Sequence, residues 1–132
     1  MTMEKDEIVK YWLESSVGDY QVMQSLFDSW HYVWALFLSH LVVEKLLKAY
    51  YVKNVGMNYP RIHDLIEIAA KAALDLSTDQ KVFLEDLSTF NLRVRYPDYK
   101  NRLQKKVNRQ YTEVQLTRVR EIRQWLREKI NN

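Results

Sequence analysis

Seven residues in two groups carry the side chains of this chain best suited to chemistry. His40, Glu44 and Lys48 stand four apart, so on a helix an imidazole, a carboxylate and an ammonium fall on one line. Arg93, Arg95, Tyr96 and Asp98 fall within RVRYPDY. Arginines beside tyrosines suit phosphate and base recognition: a guanidinium grips phosphate through two parallel hydrogen bonds, and a phenol ring stacks on an unpaired base. The chemistry of the second group therefore points to a nucleotide or single-stranded RNA. The first group also has a purely structural reading. Glu44 and Lys48 make an i, i+4 ion pair, or Glu44 accepts from Arg93 or Arg95 inside the fold, because a carboxylate on an apolar helix needs a partner.

Other chemistries lack their residues. No Glu-x-x-His, His-Glu-x-x-His or glycine-rich phosphate loop occurs, so di-iron, zincin and P-loop sites are excluded. The adjacent His63 and Asp64 stand at the mouth of a helix, where Asp64 reads as a cap for free amides. There is no cysteine, hence no disulfide, thiolate metal site or cysteine nucleophile. A serine hydrolase needs a strained strand-to-helix turn, and the chain shows no period-2 strand to supply one. No metal and no cofactor are expected.

These side chains must be positioned by helices. The stretch from Trp30 to Val52 is apolar around most of its circumference, with Trp34, Phe37, Leu38, Leu41, Val42, Leu46, Ala49 and Tyr50 at helical steps, as befits the central rod of a bundle. A first helix over about Glu4–Phe27 has acidic residues in its first turn. Its inward face is expected to comprise Ile8, Tyr11, Trp12, Ser15, Gly18, Asp19, Val22, Met23, Leu26 and Phe27, with a small-residue notch at Ser15, Ser16 and Gly18. Asp28 and Ser29 offer caps for the next helix, and Gly56 sits where a helix ends in a left-handed residue. A third helix is expected over about His63–Ala73 and a fourth from a Ser77 cap to about Leu92. The last runs over Thr112–Ile130, capped by Thr112, with Val114, Leu116, Val119, Ile122, Trp125, Leu126 and Ile130 inward. Two glycines and two prolines imply long helices and short turns. The expected architecture is all-α: one domain over residues 1–132, an antiparallel up-and-down bundle of four to five helices.

Charge is uneven along the chain. Residues 1–90 hold 8 Lys/Arg and 13 Asp/Glu, a balance of −5, and residues 91–132 hold 12 and 4, a balance of +8, giving the net +3. A cationic C-terminal part attracts polyanions, and it equally describes a solvated helix face. The charged N-terminus has no apolar core of a signal peptide, and His40, Glu44, Lys45 and Lys48 interrupt the one long apolar run. No membrane span is expected, and a cytoplasmic location is.

Taken in order, SHLVVEKLLKAYY around Glu44, PRIHDL around His63 and RYPDY after the fourth helix resemble the HEPN family of small helical domains over nearly the whole chain. The resemblance implies a helical bundle, frequently a homodimer, often partnered by a minimal nucleotidyltransferase in a toxin–antitoxin pair. Active relatives are metal-independent ribonucleases that use an Arg, four to six further residues, and a His. Here the three histidines, His31, His40 and His63, all precede Arg93, and the positions where that His would fall are Asp98, Tyr99 and Lys100. The expectation is a non-catalytic or degenerate module that binds a nucleotide or RNA, or a nucleotidyltransferase. Two alternatives are a ribonuclease with a divergent site, in which His40 replaces the lost base, and a helical dimer serving protein contacts alone.

Overall fold

The structure is a computed structural model; it describes residues 2–96, 101–102 and 105–132, and of residues 2, 3 and 92–95 only the backbone. Five helices are defined among them: α1 (Thr2–Asp28), α2 (Tyr32–Asn54), α3 (Leu65–Lys71), α4 (Thr78–Arg95) and α5 (Arg109–Asn131). The chain is all-α over these residues, and they form a bundle. No helix among them is long and apolar enough to cross a membrane.

α2 is the rod the others surround, packing against α1, α3, α4 and α5. Its apolar residues face every direction, and Val33, Ala35, Leu36, Val42, Val43, Leu46, Leu47, Ala49 and Val52 are all buried. The remaining helices each contribute one stripe: Met23 and Phe27 from α1, Leu65 and Ile68 from α3, Phe83, Leu84, Leu87 and Phe90 from α4, and Leu116, Val119, Leu126 and Ile130 from α5. The stripe on α1 is narrower than its apolar spacing implies, because α1 packs chiefly on α2. Tyr11 and Val22 are 62% and 48% exposed. The close approach falls at Ser16, whose hydroxyl donates to the Val42 carbonyl at 2.8 Å, while Gly18 is exposed. Val114 on α5 is likewise exposed rather than inward.

The direction of each helix follows from its neighbours. α1 and α2 are joined by residues 29–31 and fold back as a hairpin. Arg109, at the start of α5, lies over Phe27 beside that turn, and the Ile130 carbonyl at its end accepts from Lys53 at the end of α2. Asp79 and Gln80 share a groove with Trp125, whereas Phe83, a turn later, carries Arg118 from earlier in α5. α4 therefore runs against α5, and its last turn rises toward the end of the bundle that holds the α1–α2 turn.

Helix ends show where turn chemistry departs from expectation. Ser77 and Asp64 cap as read: Ser77 forms a reciprocal capping box with Gln80, and Asp64 accepts from the Glu67 amide. α2 begins after His31, and no side chain caps it, so Asp28 and Ser29 do not serve. α5 begins three residues early because Asn108 accepts from the Tyr111 amide; Thr112 is buried and donates to the Asn108 carbonyl. Gly56 is not left-handed. Among the described residues the positive φ angles belong to Trp30 (67°) and Ala73 (52°). At Trp30 the His31 amide donates to the Leu26 carbonyl at 2.8 Å and the Trp30 amide to Phe27 at 3.1 Å. Those paired bonds close a helix C-terminus around one left-handed residue.

Since α2 packs against four helices and Leu47 is fully buried, Leu47→Ala is expected to lower unfolding free energy by about 2–5 kcal/mol, with the folded far-UV circular dichroism spectrum retained. Denaturant titration measures it.

Candidate functional site

The polar line on α2 is buried. His40 is 0%, Glu44 4% and Lys48 5% exposed. Its partners come from within the line and from the connection between α2 and α3, residues 55–64. Lys48 Nζ donates to Glu44 Oε2 at 2.9 Å, the i, i+4 pair read from the sequence. The other carboxylate oxygen, Oε1, takes His63 Nδ1 at 3.0 Å. A carboxylate only accepts, so His63 Nδ1 carries the donated proton, on a ring that is 53% exposed.

His40 supports the same residue from behind. Its Nε2 lies 3.0 Å from the His63 carbonyl, which can only accept, so this nitrogen carries the proton. Nδ1 is then a lone pair with no hydrogen-bond partner. Burial holds the His40 imidazole below its usual value near 6.5, the His63 carbonyl and Glu44 offsetting part of that loss of solvation. The 3.6 Å approach of His40 to Glu44 is accordingly a contact with a neutral ring.

Aromatic rings close the lower part of the line. Lys48 Nζ stands 5.5 Å from the Trp12 ring centre and 5.7 Å from that of Tyr59, and these rings meet edge to face at 5.0 Å. Arg61 lies over the outer side of Tyr59 and donates to its hydroxyl at 3.2 Å. The ammonium is thus enclosed by a carboxylate and two π faces.

His63 opens onto a cleft of about 480 Å³ between the start of α3 and the second half of α4, lined also by Asp64, Glu85, Ser88, Thr89 and Asn91. The Leu65 amide donates to Ser88 Oγ at 2.9 Å, which holds the two walls together. Beyond Asn91 the same helix continues to Arg95, a further turn or about 6 Å.

The structure brings His40, Glu44 and Lys48 together, but all three lie beneath the surface. Tyr96 is the residue that ends α4, 53% exposed. Arg93 and Arg95 lie in the last turn of α4, their side chains outside the described residues, and Asp98 lies wholly outside them. Sequence reasoning missed His63 as the partner of Glu44. One signal was present: an acid on an apolar helix demands donors, and only three histidines exist to supply an imidazole. Among the described residues no three His, Cys, Asp or Glu gather as a metal ion would require.

The chain belongs to the HEPN domain family, whose model matches residues 9–129. No curated protein and no solved structure matches it.

Two measurements probe the buried line. Glu44→Gln leaves the Lys48 ammonium buried without its counter-charge and is expected to cost about 3–5 kcal/mol. Adding Lys48→Met should restore part of that loss, read as a coupling energy in a double-mutant cycle. The second concerns pH. Unfolded His40 takes up a proton below about pH 6.5, while the folded ring stays neutral. The unfolded state then binds more protons, so stability falls as pH drops below that value. The melting temperature should decline from pH 7.5 to 5.5, and less steeply in His40→Gln, whose amide can still donate to the His63 carbonyl.

Proposed function

We propose that this HEPN domain binds a nucleotide, free or as a unit of RNA, in the cleft between His63 and α4. The observation that supports the reading is His63 itself: a half-exposed imidazole, oriented by a carboxylate buried beneath it, at the wall of a cleft of about 480 Å³. That volume lies within the range of about 300–1,000 Å³ typical of small-molecule sites. Ser88, Thr89, Asn91 and the Asp64 and Glu85 carboxylates offer acceptors and donors for ribose hydroxyls and base edges. Arg93, Arg95 and Tyr96 follow along the same helix, where phosphate and base can be gripped. His40, Glu44 and Lys48, assigned to the ligand from sequence, act in this reading from below by fixing His63.

A second reading, a ribonuclease with a divergent site, also gains an observation. His40 is fully buried with its Nε2 engaged, but the His63 ring is half exposed while Glu44 holds its Nδ1, the arrangement by which a carboxylate steers a general base. Membership of the family also makes a second copy and a minimal nucleotidyltransferase candidate partners, and a toxin–antitoxin pair the candidate setting.

Calorimetry with AMP and with cytidine monophosphate tests binding. His63→Ala should weaken affinity about 10- to 100-fold, the range set by loss of one hydrogen bond to a charged group. Absence of any heat at millimolar nucleotide, or unchanged affinity in the variant, would defeat the proposal. Incubation with labelled RNA in EDTA separates the readings: cleavage abolished by His63→Gln makes the domain a nuclease, and retention without cleavage makes it a binding module.

A further inference from the structure

Trp30 combines a backbone conformation that opposes folding with a side chain whose burial contributes little to it. It adopts φ 67°, a left-handed conformation that a residue with a Cβ enters only at a cost, and its indole is 74% exposed. Glycine is the residue that normally ends a helix in this way, so nothing in the turn itself asks for tryptophan. Around it the α1–α2 turn gathers a second aromatic and cationic surface. A shallow cleft of about 310 Å³ is lined by Trp30, His31, Tyr32, Val33, Trp34 and Val107. Trp34 is 40% exposed and rests edge-on against Phe37 at 6.1 Å.

Val107 brings its neighbours with it. Lys105 and Lys106 immediately precede it and are exposed. Asn108 and Arg109 follow, with the Arg109 guanidinium over the Phe27 ring at 4.7 Å. The run from Asn101 to Arg109 holds Arg102, Lys105, Lys106 and Arg109 and no acidic residue. Asp28, exposed at the end of α1, is the carboxylate of the turn and opposes them. Exposed indoles in a cleft whose Val107 directly follows two exposed lysines offer the two things that an unpaired polynucleotide demands: π faces for bases and positive charge for phosphates.

From this placement we infer that the α1–α2 turn is a stacking platform for single-stranded nucleic acid, with Trp30 as the base-stacking residue, Trp34 and His31 beside it, and Lys105 and Lys106 on the phosphates. The site is separate from the His63 cleft. Stacking needs only a π face, so the platform accepts any base, and a duplex, whose bases are already stacked, is held by charge alone.

The full-length chain and a fluorescein-labelled decauridylate provide the test, with anisotropy measured at low and moderate salt. Trp30→Gly is the informative variant, because glycine suits the left-handed backbone. It should raise the melting temperature while weakening decauridylate binding about 5- to 150-fold, the range for losing one stacked base. Trp30→Asn, which also tolerates that conformation, should weaken binding alike, and Trp30→Tyr should retain most of the affinity. Lys105→Gln with Lys106→Gln should lower the salt dependence by about two phosphate contacts. Wild-type affinity in Trp30→Gly, no binding by the parent chain, or loss of binding in the lysine variant alone would overturn the inference. AMP binding in the His63 cleft is unchanged by Trp30→Gly, so either site can fail without the other.

Discussion

The Glu44 carboxylate is the constraint from which the functional side of this bundle follows. It sits on the most apolar helix of the chain, 4% exposed, in surroundings that cannot hydrate it. Leaving it unpaired would cost several kcal/mol. One oxygen is met by Lys48 on the same helix, but the other needs a donor from elsewhere, and His63 provides it across nineteen residues of sequence. To deliver that imidazole the segment after α2 must fold back over the helix. Once there, its Tyr59 covers Lys48 and its His63 carbonyl receives the His40 proton. A connection without regular structure is thereby tied down by side chains. The cleft between α3 and α4 inherits its position from the same bonds, since α3 begins two residues after His63.

How much of this was legible depends on the range of the interaction. α2 is readable because residues in every direction are apolar, a pattern that only a central helix satisfies, and the Ser77 and Asp64 caps are readable because their acceptors act within three residues. The i, i+4 pair of Glu44 and Lys48 is local in the same sense. The His63 bond is not, as no periodicity links a loop histidine to one carboxylate among seventeen acidic residues. Faces misread on α1 have a related cause: Tyr11 and Val22 follow the helical spacing, but a helix with one principal neighbour buries a narrower stripe than its composition offers. Glycine is the residue that suits a left-handed position, yet among the described residues Trp30 and Ala73 adopt that conformation. The two paired bonds that close such a helix end are made by backbone atoms alone, so side-chain identity changes the cost of the turn without deciding its geometry.

The cationic C-terminal part divides into two kinds of charge. Much of it on α5 is engaged with side chains of α1, of α4 or of α5 itself. Arg118 lies over Phe83 at 4.5 Å and Arg123 over Tyr20 at 3.9 Å. Arg120 donates to Tyr20 and Gln24, and Lys129 stands over Trp125. Long basic side chains laid along aromatic faces cover apolar surface while their charged ends stay wet. Burial even draws the Arg123 guanidinium below its ordinary value, with Arg127 adding like charge. An imbalance of charge read from composition therefore overstates what α5 offers a polyanion.

Lys105 and Lys106 differ in kind: both are exposed just before α5, and Val107, the next residue, lines a cleft with Trp30. A tryptophan standing where glycine would relieve strain, with three quarters of its surface exposed, is hard to explain as packing, because it packs little. The same argument does not extend to Ala73, which shares the left-handed geometry. A methyl side chain there presents no aromatic face, and the same backbone solution serves only to end α3. Position in the fold is the same device in both turns, and what distinguishes them is the side chain that each presents to the outside.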